Sequence, residues 1–368
     1  MVEWKKLGEV ANLVRGKVIS KDFIRDNAGI YPVYSSQTAN DGVLGYIDSY
    51  MFDGDFLTWT TDGAYAGTIF RRKGRFNITN VCGLIDIKDQ RLLQDYLYYW
   101  LSLIAKSYVQ EGMGNPKLMS NVASTILIPI PSLSEQQRIV SILDTFTSSI
   151  SNLKQQIEER RKQYEYERDL LLDLEGKEGV EMKKLGEVAN FVKDRIEASF
   201  LNSQNYVSVE NLLKDKAGRI DSENVPFKGN WSCYKHGDVL IGNIRPYLRK
   251  IWLADRKGGT NGDVLIIRPN EFILPQFLYC VLASEKFFEY YNQTAKGGKM
   301  PRGEKSRALS YIIPLPPLST QSRIVSILDT FEQSISNLEE QLAMREKQYE
   351  YYRNQLLTFE GEEERGKT

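Results

Sequence analysis

The chain repeats itself over the length of a domain. The segment KKLGEVAN occupies residues 5–12 and returns at 183–190, and RIVSILDTF occupies residues 138–146 and returns at 323–331. A repeat this long excludes the short stacked units of a solenoid or a propeller. The sequence therefore predicts two related halves about an approximate two-fold axis, which suits a partner in two copies or a target read in two parts.

Between the identical segments the two halves have diverged, and only scattered letters still agree. GDFL at 54–57 aligns with GDVL at 237–240, and PK at 116–117 aligns with PR at 301–302. The offset drifts along the chain, which small length changes in surface loops explain at little thermodynamic cost. We therefore expect one scaffold that was kept twice while its loops changed, as two different specificities would require.

Each half ends in a long heptad pattern. Apolar residues follow each other at alternating spacings of four and three over 139–174 and again over 324–359. A register held this long is typical of a coiled coil, and such a helix would measure roughly 54 Å. The short return segment 175–182 favours an antiparallel pair; the alternative is an ordinary amphipathic helix packed on its own domain. The expected helix N-caps are Ser134, in a capping box with Gln137, and Ser319.

The regions before these helices predict mixed structure. Alternating stretches at 239–241, 250–253 and 264–267 are typical of strands, and one helix per half is expected near 92–108 and 275–291. The predicted fold class is α+β, with two mixed α/β domains, related by a pseudo-two-fold axis, that an antiparallel coiled coil of two long helices separates. The expected boundaries are 1–132 for the first domain, 133–180 for the first helix and its return linker, 181–317 for the second domain, 318–360 for the second helix, and 361–368 for a frayed tail.

A formal net charge of zero conceals two opposed fields. The first domain holds 14 basic and 13 acidic residues and the second holds 21 and 15, whereas the two helical segments hold 7 and 10, then 6 and 10. The domains are thus neutral to basic and the helices are acidic. Nucleic-acid binding by the domains is compatible with this distribution, although the sum of charges hides it.

Composition points to a reducing compartment. The three cysteines, Cys82, Cys233 and Cys280, are scattered and form no C-x-x-C pair, so neither a disulfide framework nor a zinc knuckle is predicted. Residues 1–12 contain no apolar run of the kind a signal peptide needs, and no stretch approaches the length that crosses a bilayer. We expect a cytoplasmic protein.

No catalytic, metal or cofactor site is predicted. A DNA adenine methylase would carry N/D-P-P-Y/F to hold a flipped base, and the only Pro-Pro in the chain is Pro316-Pro317 within LPPL. His236 is the single histidine, which excludes most histidine-based acid-base and metal chemistry, and we expect it in a surface loop.

The last eight letters, GEEERGKT at 361–368, match the phosphate-loop pattern G-x-x-x-x-G-K-[ST]. That loop binds phosphate only between a strand and the N-terminus of a helix, where backbone N–H groups converge. Here a long helix precedes the pattern, and three glutamates would repel phosphate. The prediction is a frayed tail without nucleotide binding.

A family resemblance rests on two repeated motifs. P-x-P-x-L-S-x-Q-x-x-I-V occupies 129–140 and 314–325, and K-K-L-G-E-V heads each half. Across essentially its whole length the chain resembles the specificity subunit of a Type I restriction-modification enzyme. The resemblance implies two target-recognition domains that each read one half of a bipartite DNA sequence, and helices that set the gap. It also implies two bound methyltransferase subunits and, for cleavage, nuclease-translocase subunits. Because the two domains differ, the half-sites should differ.

DNA contacts are expected in the variable regions, where arginine and lysine reach phosphates or guanine edges and amides and hydroxyls read bases. The densest basic cluster is expected in a loop or a hairpin. The candidates in the first domain are this cluster, Arg71, Arg72, Lys73 and Arg75; a polar loop, Ser36, Gln37, Thr38 and Asn40; and Lys117, after a glycine-rich turn. Those in the second domain are Asn243, Arg245, Tyr247, Arg249 and Lys250, then Lys296, Lys299, Arg302 and Lys305 around a second glycine pair.

A function from another class fits the same repeat. The chain could be a scaffold without DNA that uses its paired helices to join two identical partners. The basic excess of the second domain argues against this alternative, whereas the nearly neutral first domain does not. Salt-dependent DNA binding by the purified assembly distinguishes the two hypotheses.

Overall fold

The computed structural model describes residues 2–111, 114–293, 295 and 298–359. The chain packs into two compact units, of which unit 1 comprises 1–153 with 341–368, and unit 2 comprises 154–340. Each unit therefore contains one domain, the first part of the long helix that follows this domain, and the last part of the other long helix.

Unit 1 is built on a six-stranded sheet with the order β2-β7-β5-β6-β3-β4. All neighbours in it are antiparallel except β3 and β6, and a separate antiparallel pair joins β1 to β8. The elements are β1 Glu3–Lys6, α1 Leu7–Val10, β2 Ala11–Arg15, α2 Lys21–Asp26, β3 Ala28–Tyr34, β4 Val43–Ile47, β5 Phe52–Thr60, β6 Ile69–Ile78, β7 Cys82–Ile87, α3 Gln94–Ile104, α4 Ser120–Ala123, β8 Leu127–Ile130 and α5 Leu133–Leu172.

Unit 2 holds two four-stranded sheets, β10-β17-β14-β15 and β11-β13-β16-β12, and the pair β9-β18. The elements are β9 Glu181–Lys184, α6 Leu185–Val188, β10 Ala189–Phe191, β11 Arg195–Glu197, β12 Tyr206–Val207, β13 Asn230–Tyr234, β14 Val239–Gly242, β15 Ile251–Leu253, β16 Gly258–Thr260, β17 Val264–Pro269, α7 Pro275–Leu282, α8 Glu285–Asn292, α9 Lys305–Leu309, β18 Ile312–Leu315 and α10 Leu318–Leu356. The mixed α/β character predicted for both halves is confirmed, as are the three strands predicted near 240, 251 and 265.

Two local predictions are wrong. Helix α5 begins at Leu133, and its N-cap is Ser132, whose Oγ accepts a hydrogen bond from the Glu135 N–H at 3.3 Å, so Ser134 lies inside the helix. Likewise α10 begins at Leu318, before the expected cap. The single helix expected near 275–291 is broken between α7 and α8, because the Ser284 side chain caps a new helix by accepting from the Phe287 N–H.

The repeated motifs build the same junction twice. The head strand of each half pairs with the proline-containing strand before the long helix: Trp4 lies opposite Pro129, and Lys183 lies opposite Ile313. A buried glutamine then fixes the start of each long helix, Gln136 in one half and Gln321 in the other.

The two glutamines make equivalent hydrogen bonds. Each side-chain oxygen accepts from a backbone N–H at 2.8 Å, that of Leu93 or of Leu274. Each side-chain nitrogen donates to two backbone carbonyls, those of Arg91 and Pro131 in unit 1 and of Phe272 and Pro316 in unit 2. The glutamine of the repeated S-x-Q motif therefore ties the helix to the loop that enters α3 or α7.

Replacing either glutamine should destabilise its unit. We expect Gln136→Ala or Gln321→Ala to lower the free energy of unfolding by roughly 1–3 kcal/mol, because a buried N–H and two carbonyls lose their partner. Thermal unfolding of the full chain measures the loss. Gln137→Ala is the matched control, since Gln137 is exposed on the same turn and should change stability by less than about 0.5 kcal/mol. Equal effects at 136 and 137 would contradict this account.

The core of unit 1 lies between the sheet and α3. Trp59 and Ile85 of the sheet and Trp100 of α3 are buried in it, and Leu357 from the end of the chain belongs to the same cluster. Phe359 packs its ring at 6.0–6.5 Å from three aromatic rings of this core, those of Trp4, Tyr96 and Trp100. Each large side chain buried in this way contributes about 1.5–3 kcal/mol.

The long helices contact each other inside each unit. In unit 1 the rings of Phe146 and Tyr352 stack at 5.3 Å. In unit 2 Arg161 pairs with Glu339, and the Tyr164 hydroxyl donates to Glu332 at 2.9 Å, so the two helices run in opposite directions there. These residues include members of the predicted heptad register; a continuous coiled coil along the full length of both helices stays a prediction. None of the described helices combines the length and the apolarity needed to span a membrane.

Candidate nucleic-acid interface

Matching the halves by letter is wrong by one residue in the sheet. Leu57 lies opposite Ile85 and joins the core beneath α3, and in unit 2 that place belongs to Val239, opposite Ile267. Leu240, which shares its letter with Leu57, points to the other face of the sheet. A shift of one residue in a strand reverses the face of every side chain, so the correct offset between the two sheets is 182 residues.

With this offset, one loop is found at the same place in both units. We call residues 61–68, between β5 and β6, and residues 243–250, between β14 and β15, the corner loops. Their ends are closed alike: the Thr60 N–H donates to the Thr68 carbonyl at 3.0 Å, and the Gly242 N–H donates to the Lys250 carbonyl at 2.9 Å. The two loops therefore have equal lengths, and equivalent hydrogen bonds close their ends.

A second segment crosses each corner loop with the same backbone bonds. In unit 1 the Gly63 N–H donates to the Pro116 carbonyl at 3.0 Å. In unit 2 the Arg245 N–H donates to the Pro301 carbonyl at 2.7 Å. Two further equivalent bonds, from the N–H of Leu118 to the Thr61 carbonyl and from that of Gly303 to the Asn243 carbonyl, measure 3.0 and 3.2 Å. Each crossing brings one basic residue to the corner, Lys117 in unit 1 and Arg302 in unit 2.

Each corner presents the same pair of side-chain types to solvent. Tyr65 is 58% exposed and Tyr247, at the equivalent position, is 53% exposed. Lys117 and Arg302, on the segments that cross the corner loops, are also exposed, and Arg302 pairs with Asp263 at 3.1 Å. An exposed aromatic ring suits stacking on bases, and an exposed cation suits contacts to phosphates. Sequence reasoning missed Tyr65, although the offset of 182 residues from Tyr247 would have revealed it.

The basic cluster of unit 1 lies in a hairpin strand, β6, rather than in a loop. Arg72 is buried, with 1% of its side chain exposed; its guanidinium donates to Asp41 at 2.7 Å and stacks on Tyr34 at 3.6 Å. Arg71 pairs with Asp95 at 2.8 Å and with Asp144 at 3.3 Å. Both guanidiniums are therefore occupied by the protein itself, and they fix the sheet to its surroundings.

Lys73 and Arg75 of the same strand remain accessible. Lys73 is 78% exposed and lies 3.7 Å from Asp55, and Arg75 is half-exposed and pairs with Asp53 at 2.9 Å. Exposed ion pairs of this kind contribute only about 0–1 kcal/mol, so phosphate can replace the carboxylate at little cost.

The polar loop predicted at 36–40 lies next to the buried arginine. Gln37 donates to the Val43 carbonyl, and Asn40 is exposed in a left-handed conformation with φ 50°. Ser36 and Thr38 are half-buried. Because Asp41 holds Arg72, this loop is anchored to β6 at one end.

The second-domain candidates divide into anchored and accessible groups. Asn243 is buried and accepts from the Tyr291 hydroxyl at 2.5 Å, and the Lys250 ammonium donates to the Val209 carbonyl at 2.6 Å. Burial lowers the pKa of Lys250. Tyr247, Lys299, Arg302 and Lys305 are exposed. Lys296 and the 361–368 pattern lie outside the described residues, and His236 is exposed in a turn, as predicted.

Comparison with known proteins identifies the family. The model of the type I restriction modification DNA specificity domain matches residues 1–160 and 177–344. The chain belongs to this family. The two matches confirm the resemblance inferred from the repeated motifs, and the chain is a type I restriction-modification specificity subunit. Specificity subunits are non-catalytic as a family, in agreement with the absence of an adenine-methylase motif from the sequence.

The relatives of this specificity subunit include several proteins of Mycoplasma pneumoniae. One, provisionally named a type I specificity subunit, is 28% identical over 361 residues, which cover 96% of each chain. The specificity subunit of the type I restriction enzyme MpnII is 37% identical over 169 residues, which cover 45% of this chain and 51% of that one. The first of these matches extends over both halves of the repeat.

Solved structures share the fold. The S subunit of a type I restriction-modification system from M. genitalium has a TM-score of 0.62 to this specificity subunit at 16% identity, with 97% of each chain covered. A chain from a type I R-M system, solved in work on complex assembly and conformational transition, has a TM-score of 0.59 at 17% identity and covers 97% of this chain and 96% of its own.

Proposed function

We propose that each target-recognition domain, predicted at 1–132 and 181–317, reads one half of a bipartite and asymmetric DNA target. The observation that carries this proposal is the pair of corner loops, which have equivalent backbone bonds and different side chains. The shared cation suits contacts to the DNA backbone, and the shared tyrosine suits stacking on bases, which tolerates any sequence. The side chains that differ suit base edges, which specify sequence. Because the side chains differ, the two half-sites differ.

The acidic long helices are the proposed docking and spacing elements. In this proposal they bind two copies of a methyltransferase subunit and set the gap between the half-sites, and restriction subunits join for cleavage. Support comes from the sequence resemblance and from the matched apolar registers of α5 and α10. The assembly operates in the cytoplasm, where the free, buried thiols of Cys82, Cys233 and Cys280 stay reduced.

A domain exchange tests the two-part reading. The full chain is co-expressed with its methyltransferase subunit, and methylated adenines are mapped in the host DNA. Replacing residues 181–317 with the corresponding domain of another specificity subunit should change the bases of one half-site and leave the other half-site and the gap unchanged. A wild-type complex that binds no DNA would instead support the scaffold alternative. A change in both half-sites would contradict independent reading.

The accessible pair on β6 should carry part of the electrostatic binding. We expect the double change Lys73→Ala with Arg75→Ala to reduce the magnitude of the slope of log K against log salt by about 1–2, because each phosphate contact that is lost leaves about one counterion bound to the DNA. The recognised sequence should stay unchanged. Binding titrations at several salt concentrations measure the slope. Lys21→Ala with Arg25→Ala, which removes the same charge from α2, is the control. A slope that stays at the wild-type value would show that β6 lies away from the DNA.

A further inference from the structure

The two corner loops differ where their backbones are least tolerant of a side chain. In unit 1 the loop has glycine at two left-handed positions, Gly63 with φ 95° and Gly67 with φ 81°. In unit 2 the equivalent positions hold Arg245 and Arg249, each with φ 50°. Residues with a Cβ rarely adopt this conformation, and strain of this kind concentrates at sites of function.

Arg249 is explained by its ion pairs. Its guanidinium pairs with Asp215 and, at 2.9 Å, with Glu285, and these hydrogen bonds raise the pKa of Arg249. The Lys216 ammonium also pairs with Glu285, at 2.9 Å, and the backbone N–H of Lys216 donates to the Arg249 carbonyl at 3.0 Å. Arg249 therefore fixes the corner loop of unit 2 to Asp215 and Glu285 of the same unit, which makes it a positioning residue.

Arg245 forms no ion pair of this kind with any residue that the structure describes. Its Nε is buried, and no group in the described part of the chain accepts a hydrogen bond from it. Pro246 follows directly and restricts the backbone of Arg245 further, so the residue is held in a strained conformation by its neighbours. A buried donor without a partner is costly, and this cost falls when the guanidinium turns outward to an acceptor that a ligand supplies.

The surroundings of Arg245 indicate which acceptor is missing. Arg245 lines an open cleft of about 580 Å³, and the exposed Tyr247 follows two residues later in the same corner loop. The same cleft is lined by four acidic residues, Glu210, Asp221, Glu223 and Asp263, and by Lys250; Asp221 pairs with Arg219, and Asp263 pairs with Arg302. The carboxylates outnumber the two basic side chains that line the cleft, Arg245 and Lys250, so a neutral acceptor is favoured over phosphate inside it. The edge of a guanine is such an acceptor, because its O6 and N7 match the two parallel N–H groups of a guanidinium.

We propose that Arg245 reads a guanine base in the half-site bound by the second recognition domain, and that the first domain has no equivalent contact because Gly63 stands in its place. This inference rests on the proposed DNA-reading function and assigns one base type to one side chain. The shared tyrosine and cation make contacts that do not depend on sequence at both corners, and Arg245 adds the specific contact at one of them.

The test replaces Arg245 with glycine, the residue that unit 1 has at the equivalent position 63. Arg245→Gly relieves the left-handed strain and keeps the backbone bonds, so the thermal unfolding temperature should be equal to or above that of wild type. The complex of the full chain with its methyltransferase subunits is titrated with duplexes of the mapped target and of each single base-pair change. The variant should lose roughly 5- to 100-fold of discrimination at one G·C pair of one half-site, and none in the other half-site.

Two further variants separate reading from charge and from positioning. Arg245→Lys keeps the charge without the fork, and it should also lose discrimination at that pair while keeping the wild-type salt slope. Arg249→Gly, the matched reversion in the same loop, should weaken binding to all duplexes alike. Full discrimination by Arg245→Gly, or an equal loss on every duplex, would overturn the inference. A wild-type complex without preference among the duplexes would instead overturn the proposed function.

Discussion

The purified chain alone is expected to transfer no methyl group to DNA, and the same DNA is expected to become methylated at adenine once the methyltransferase subunit is added. The reason lies in the sequence, which lacks the N/D-P-P-Y/F motif that holds a flipped adenine. The change should be all-or-none, because the proposed assembly has its catalytic site entirely in the partner. Incorporation of a labelled methyl group from S-adenosylmethionine measures it.

Two controls define this result. The methyltransferase subunit without the specificity subunit should modify DNA without sequence preference or not at all, if the recognition domains read the bases as proposed. A target duplex with the gap altered by one base pair should stay unmodified by the complex. Turnover by the highly purified single chain would contradict the absence of a catalytic centre.

Lengthening both long helices by one heptad is expected to widen the recognised gap by up to about three base pairs. Seven residues are inserted after Ile157 and seven after Leu342, so that the apolar register is kept on both helices. Each insertion adds roughly 10 Å at 1.5 Å per residue, and DNA rises about 3.4 Å per base pair. The bases of each half-site should stay the same, because the corner loops are untouched. Mapping of methylated adenines reads the gap directly.

The control for this experiment breaks the register. Two residues inserted after Ile157 alone should rotate the apolar stripe away from α10 and abolish modification. A functional complex with lengthened helices and an unchanged gap would show that the helices hold partners without acting as a spacer.

Features with a repeating pattern were predictable from the sequence. The long helices followed from the heptads, and the strands near 240, 251 and 265 followed from short alternating runs. The positions at which helices begin were less predictable, because neighbouring residues compete to cap them. Ser132 and Ser134 are both good helix caps, and the position of the cap depends on where the preceding strand ends. Ser284 divides one predicted helix into two because its side chain caps the second, an alternative that periodicity alone does not reveal.

The candidate site shows the same division more sharply. Composition singled out Arg71 and Arg72 as part of the densest basic cluster. The structure pairs Arg71 with Asp95 and Asp144, and Arg72 with Asp41. These carboxylates are distant in sequence from the arginines, so the sequence alone did not reveal the ion pairs. Tyr65 was missed because it lies in a region where the two copies share few letters. Only the backbone pairing between strands fixed the offset that places it opposite Tyr247.

The contact between Phe359 and the aromatic core of unit 1 has a consequence for how the chain is made. Residues 1–153 leave the ribosome first, but the rings of Trp4, Tyr96 and Trp100 lack their contacts with Phe359 until the last described residues are synthesised. At roughly 5–20 residues per second, the intervening 200 or so residues take about 10–40 s. Unit 2, whose residues are contiguous, is complete earlier. The first domain to begin synthesis is thus the last to be finished, and a prematurely terminated chain lacks the side chains of Leu357 and Phe359 that complete its core.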